Sequence, residues 1–175
     1  MMRPLACLLR DCRGAAAAEM ALVLPLLLVI LFGSMELGNY FMNEHTLVKA
    51  VRDGSRFAAR QSFTNYTSCS GSPGGTVVAD TRNIVMNGYL SGGSIVTPNI
   101  QASDISVTAS CKTTANGQTM SGIYAGRDVD GDTQNDALIV KVSASVSYRP
   151  ILATFGFRGV GISLNAASEA AVAGM

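Results

Sequence analysis

The sequence has few of the residues on which catalytic and metal sites most often depend. It contains a single histidine, and charged residues make up only 14% of its 175 positions. No His/Cys metal spacing, nucleophile elbow or glycine-rich phosphate loop is present. The net charge of +1 provides no bulk attraction to nucleic acid. We therefore expect neither an enzyme nor a nucleic-acid-binding protein.

Charge is scarcest in the segment Ala15–Met35, whose 21 residues include one charged side chain, Glu19. A helix of this length would measure about 32 Å, which is enough to cross the hydrocarbon core of a bilayer. Three arginines lie within residues 1–13, and the positive-inside rule then keeps that end cytoplasmic and exports the remainder. The sequence thus predicts one membrane-spanning helix.

Two other interpretations of this segment are possible. A secretory signal also has a basic start and an apolar core, but it ends in a small-x-small cleavage site that is missing from residues 31–37 here. An uncleaved signal anchor would look the same by hydropathy. The position of Glu19 favours a third interpretation, because a charged side chain at bilayer depth costs roughly 2.5 to 3.5 kcal/mol and so indicates a function.

Glu19 lies five residues after Gly14, at the edge of the apolar segment. The stretch Arg13-Gly14-Ala15-Ala16-Ala17-Ala18-Glu19-Met20, followed by Ala21-Leu22-Val23-Leu24-Pro25, resembles the N-terminus of TadE-like proteins, the pseudopilins or minor pilins of Tad (Flp) pilus systems. Glu36-Leu37-Gly38 and the segment from Ala50 to Arg60 are also similar to that family. The resemblance covers roughly residues 10 to 61.

The resemblance implies that a membrane aspartyl prepilin peptidase cuts between Gly14 and Ala15. Glu19 would then pair with the new amine of Ala15, one helical turn away or on a neighbouring helix. The family usually has an aromatic residue where this chain has Met20. Further implied partners are other pilins and pseudopilins and the assembly platform of the bacterial inner membrane, with the C-terminal domain in the periplasm.

This interpretation divides the chain into a leader at residues 1–14, a transmembrane helix at 15–38, an amphipathic stem helix at 39–61 and an exported domain at 62–175. The apolar face of the stem repeats at three- and four-residue spacing. Its other face is basic and either meets lipid phosphates or an acidic partner, or is simply solvated. The basic residues are Lys49, Arg52, Arg56 and Arg60.

The exported domain changes from helical to strand periodicity. A short helix is predicted from about Val78 to Leu90, with its apolar face formed by Val85, Met86, Tyr89 and Leu90. Three alternating strands follow, and their apolar positions are Ile105, Val107, Ala109 and Cys111; Val140, Val142, Ala144, Val146 and Tyr148; and Val160, Ile162, Leu164 and Ala166. The predicted fold is α+β, a long N-terminal helix followed by a small antiparallel sheet with one short helix.

The four cysteines lie on the two sides of the apolar segment. Cys7 and Cys12 precede it, whereas Cys69 and Cys111 follow it. Only the second pair would reach an oxidising compartment, where a disulfide persists. A Cys69–Cys111 disulfide is therefore one prediction, and two buried free thiols are the alternative.

An acidic loop precedes the second predicted strand. Its aspartates, Asp128, Asp130, Asp132 and Asp136, stand at relative positions 1, 3, 5 and 9, and the loop resembles short calcium loops written D-x-D-x-D-G-x-x-D. Calcium takes six to eight oxygens, so converging carboxylates would suit it. Thr133 stands where such loops usually carry glycine, and position 12 lacks the glutamate of an EF-hand. Bound calcium and a solvated acidic loop both remain possible.

Two functions follow from these features. The first is assembly of a Tad pilus by a processed, pilin-like protein whose apolar helix packs against other pilin helices and membrane lipid. The second is an unprocessed, membrane-anchored binding or adhesion module, whose calcium loop would organise its exported domain. The N-terminus of the mature protein distinguishes them.

Overall fold

The computed structural model describes residues 13–115, 117–155 and 161–174. Its largest element is helix α1, Arg13–Ala59, which includes Pro25 without interruption. At 1.5 Å per residue its 47 residues extend about 70 Å. The predicted transmembrane and stem helices are therefore one continuous helix. The predicted leader lies almost wholly within residues 1–12, which are outside the described residues.

Helix α1 ends in a tightened last turn. The backbone N–H groups of Arg60 and Gln61 donate to the carbonyls of Phe57 and Ala58, each at 3.1 Å. These i to i−3 bonds satisfy carbonyls that a helix end would otherwise leave unpaired. The Tyr66 hydroxyl also donates to the Ala58 carbonyl at 2.6 Å. The chain then turns back to begin the exported domain.

The domain is built on a four-stranded antiparallel sheet in the order β1-β2-β5-β6. Its strands are β1 (Ser70–Gly71), β2 (Ile105–Lys112), β5 (Ala137–Ser147) and β6 (Ser163–Ala171), and a small second sheet pairs β3 (Thr114–Ala115) with β4 (Gln118–Thr119). The central strand β5 pairs with both long neighbours, so that Val142 lies opposite Val107 on β2 and Ser168 on β6.

One face of this sheet is apolar and covered by helices. Alternate residues of β2 and β5 are buried while their neighbours are exposed or half-buried, because side chains of a strand point to opposite faces. The C-terminal half of α1 packs on β5 and β6, and its buried face includes Leu47, Val51 and Ala58. This confirms the predicted α+β architecture.

The short helix α2, Val77–Asn87, packs against α1 and β2. Its buried residues are Val77, Thr81 and Val85, so the predicted apolar face is only partly right. Tyr89 and Leu90 are exposed, since Gly88 adopts a left-handed conformation and ends the helix before them. The helix thus ends at Asn87 and not near Leu90, so the prediction that these two residues lie on its apolar face is wrong.

The last strand, β6, begins later and runs further than its pattern predicts. Leu164 is buried and Ala166 half-buried on the inner face, as expected, and the strand continues to Ala171. Ile162 precedes the strand and is exposed, and Val160 lies outside the described residues. The sequence pattern does not predict this extension, because small and polar residues replace the large apolar ones after Leu164.

Candidate functional site

The predicted processing segment lies at the start of α1. Gly14 is exposed, and an added Cβ would meet no atom within 4 Å. Glu19 is also exposed and forms no ion pair or hydrogen bond with any described side chain. Met20 is 63% exposed. These residues thus lie on an exposed surface of the helix. The side chain of Ala15 is outside the described part of the chain.

The exposed surface of α1 continues over residues 20–32. We call the exposed side chains of this stretch the apolar sleeve. Every residue of this stretch is exposed. Among the described residues α1 is the one helix long and apolar enough to cross a membrane. The large apolar side chains of the sleeve are Met20, Leu22, Val23, Leu24, Leu26, Leu27, Leu28, Val29, Ile30, Leu31 and Phe32.

A polar contact marks the point where the sleeve gives way to the packed half of α1. The Glu36 carboxylate accepts hydrogen bonds from the Tyr148 hydroxyl and from the backbone N–H groups of Ile151 and Leu152. The Tyr148 hydroxyl also accepts from Asn39 at 2.8 Å. Burial raises the pKa of Tyr148, and its hydrogen bond to Glu36 raises that pKa further. Sequence reasoning missed this contact, because 112 residues separate the partners.

The basic face of the stem is on the outside of the packed half. Lys49, Arg52, Arg56 and Arg60 are all exposed, and none forms an ion pair within the described part of the chain. They lie opposite the buried face of the helix, as their spacing predicts.

The other end of the domain is closed by a disulfide. Cys69 and Cys111 are bonded, with their Cα atoms 4.8 Å apart, which confirms the predicted pair and leaves no free thiol there. The bond joins the start of β1 to the end of β2, next to the pairing of Ser70 with Ser110. Its closed loop of 42 residues would contribute about 4 kcal/mol to stability in the chain-entropy model.

The acidic loop lies beside this disulfide and leads into β5. Carboxylate oxygens of Asp128, Asp130 and Asp136 lie within 4.8 Å of one another. Asp132 is not in this group, since its two carboxylate oxygens accept from the backbone and side chain of Gln134 at 2.8 and 3.0 Å. The structure therefore brings together three of the four predicted ligands.

Backbone hydrogen bonds shape the loop around Asp128. Its carboxylate accepts from Gly131 N at 2.6 Å and from Thr133 N at 3.0 Å. Thr133 has φ of 67° and Gly131 has φ of 85°, so the threonine does adopt the left-handed conformation that its β-branch disfavours. The absence of glycine at position 133 does not prevent the turn.

The loop is anchored to the domain on both sides. Asp136 N donates to the Arg127 carbonyl at 2.6 Å, and Asn135 accepts from Gly126 N and donates to the Met120 carbonyl. The Arg127 guanidinium lies 3.7 Å from the centre of the Phe63 ring, just beyond the end of α1. These contacts hold the carboxylates at the end of the domain farther from the apolar sleeve.

Helix α1 thus combines an exposed apolar half, long enough to cross a membrane, with a half packed under a small sheet. Residues 14–56 match the family model of TadE-like protein, which confirms the resemblance over nearly all of α1. This family implies association with Tad pilus assembly components. No curated protein and no solved structure matches the chain. Residues 57–175, which include the whole predicted exported domain, are outside the matched region.

Proposed function

We infer that the chain acts in Tad pilus assembly as a minor pilin or pseudopilin, after a prepilin peptidase cuts between Gly14 and Ala15. Its exported domain, residues 62–175, would reside in the periplasm and its helix in the bacterial inner membrane. The family match to residues 14–56 supports the class of protein. The division of α1 into two environments supports the role.

That division is the observation on which the proposal depends. The apolar sleeve is exposed over residues 20–32, whereas Leu47, Val51 and Ala58 on the same helix are fully buried against the domain. Exposed apolar side chains of this number need a covering surface, because contiguous apolar patches are rare on soluble monomers. Lipid tails cover them before assembly, and the helices of other pilins cover them afterwards.

Glu19 supplies the specificity that apolar packing lacks. It is the one carboxylate between Gly14 and Met35, and it has no partner among the described side chains. Cleavage after Gly14 would expose an amine on Ala15 that is largely cationic at neutral pH. In a low-dielectric environment that amine and a neighbouring chain's Glu19 attract strongly, which fixes the register of one helix against another. The assembly platform would draw the paired helix from the membrane.

Pilus assembly in a host lacking its own copy of the chain tests the proposal. We expect wild-type protein to restore pili and Gly14→Ala to fail, because uncleaved protein keeps its leader. Gly38→Ala is the matched control, since a Cβ at Gly14 or at Gly38 meets nothing within 4 Å. Normal assembly with Gly14→Ala would contradict the proposal.

A second pair of variants isolates the role of the charge. Glu19→Gln keeps the shape of the side chain and is expected to lower pilus number at least about tenfold, corresponding to the loss of roughly 1.4 kcal/mol of pairing energy. Glu44→Gln removes a carboxylate from the packed half of the same helix and should leave assembly unchanged. Equal effects of the two variants would exclude a specific role for Glu19. An unprocessed adhesion module would tolerate both.

A further inference from the structure

The acidic loop contains a buried carboxylate that the protein leaves half unpaired. Asp136 is 0% exposed. Its Oδ2 accepts a hydrogen bond from Val129 N at 2.8 Å, but its Oδ1 has no hydrogen-bond partner. A buried ionised group without partners is costly, since it loses its hydration and gains nothing in return.

The neighbours of Asp136 do not compensate for its charge. Cys69 Sγ lies 3.6 Å from Oδ2, but a disulfide sulfur carries no hydrogen to donate. Arg127 is directed to the Phe63 ring and forms no ion pair with Asp136 among the described contacts. No Lys, Arg or His side chain among the described residues forms an ion pair with this carboxylate.

The other carboxylates of the loop add to the negative charge around Asp136. Asp128 and Asp130 bring their oxygens within 4.8 Å of the Asp136 carboxylate. Like charges at such separations repel one another, and burial of one member strengthens the repulsion because the local dielectric is low. Three clustered carboxylates, one of which is buried and has an unpartnered oxygen, are an arrangement that a bound divalent cation stabilises.

We propose that residues 128–136 bind one calcium ion, with the carboxylates of Asp128, Asp130 and Asp136 as its protein ligands. The set contains only oxygen donors, which suit hard cations rather than zinc or copper. Calcium accepts irregular shells of six to eight oxygens, whereas magnesium demands octahedral geometry and keeps several waters. Loop carbonyls and water would complete the shell, while Asp132 stays outside it.

The bound ion would hold together three structures that meet at one end of the domain. The loop contacts the disulfide through Asp136 and the end of the stem through Arg127 and Phe63, and it leads directly into the central strand β5. Calcium would therefore stiffen the end of the domain that is farthest from the apolar sleeve. This role is independent of cleavage after Gly14.

Calorimetric titration of calcium chloride into the EDTA-treated full chain, held in detergent with its disulfide intact, tests the proposal. We expect one saturable site with a Kd on the order of 10⁻⁴ M, in the range of extracellular calcium modules. Asp128→Asn and Asp136→Asn should each weaken binding at least about tenfold. Asp132→Asn is the matched control and should stay within about threefold of wild type.

Thermal unfolding provides a second measurement that does not need binding heats. Calcium should raise the Tm of the wild type, because a ligand that binds only the folded state stabilises it. Without calcium, Asp136→Asn should have a higher Tm than the wild type, since it removes the unpaired charge, and calcium should raise its Tm less than that of the wild type. No saturable wild-type binding at millimolar calcium, or an equal loss with Asp132→Asn, would overturn the proposal.

Discussion

The two halves of helix α1 place similar apolar side chains in opposite environments. Leu27 is 57% exposed in the N-terminal half, whereas Leu47 in the C-terminal half is 0% exposed. The difference is made by the sheet, which covers one half and stops at the Glu36 contact. The exposed half is therefore free to pack on lipid or other helices, and the packed half gives the domain its core.

The largest effect is expected at the disulfide, which stabilises the domain independently of helix α1. Replacing both Cys69 and Cys111 by serine should lower the free energy of unfolding of the domain by about 4 kcal/mol, the loop-closure value for their separation. Thermal unfolding in detergent measures this loss. Membrane insertion should be unchanged, since the apolar sleeve contacts neither cysteine. A loss of insertion would contradict the division of α1 into an exposed half and a packed half.

The leucine pair tests the comparison inside α1 itself. Leu47→Ala should cost about 3 kcal/mol, because it leaves a cavity under the sheet. Leu27→Ala, in the exposed half, should change the stability of the isolated protein by less than about 0.5 kcal/mol. Chemical denaturation of both variants in the same detergent provides the measurement. Similar losses for the two would show that the halves are not distinct.

The boundary between the halves depends on Glu36. Glu36→Gln should cost about 1.5 kcal/mol, since the carboxylate loses its charge-assisted bonds to Tyr148 and to backbone N–H groups of Ile151 and Leu152. Glu44→Gln is the control, because Glu44 has no such bonds in the described structure. Proteolytic release of the domain from the helix should accelerate only in the first variant, and equal rates would contradict this role.

The smallest effect is expected at a close helix contact. A Cβ at Gly54 would lie 2.5 Å from Val85 Cγ2 on α2, so Gly54→Ala should destabilise by about 1 kcal/mol, after the gain in helix propensity is subtracted. Gly38→Ala has open space and should be neutral or slightly stabilising. Melting temperatures of the two variants provide the check. A stabilised Gly54→Ala would show that α2 moves aside easily.

The parts of the fold that could be predicted are those with a local period. The apolar segment, the stem face and the long strands β2 and β5 all repeat every three to four or every two residues. The short strand β1 has too few residues to show a period. The apolar pattern predicts the wrong end for α2, because Tyr89 and Leu90 continue it beyond Gly88. A pattern of apolar residues does not show that Gly88 adopts a left-handed conformation.

The features of the candidate sites also divide into those that the sequence predicts and those that it does not. Gly14 and Glu19 are recognisable because their spacing is local, and the disulfide follows from compartment and count. The Glu36–Tyr148 contact joins residues too far apart for any local signal. The loop aspartates follow a pattern, but the pattern does not show that Gln134 engages Asp132 or that Asp136 is buried. Those facts arise only when the loop is folded against the disulfide.

The most direct test of the central claim is the intact mass of the protein purified from membranes, measured after maleimide labelling under denaturing, non-reducing conditions. The account predicts the mass of a chain beginning at Ala15 with no label, because Cys69 and Cys111 are bonded to each other. A chain beginning at Met1 that carries labels on Cys7 and Cys12 would contradict it. A chain beginning near Ser34 would also contradict it, since the apolar sleeve would then be a removed signal.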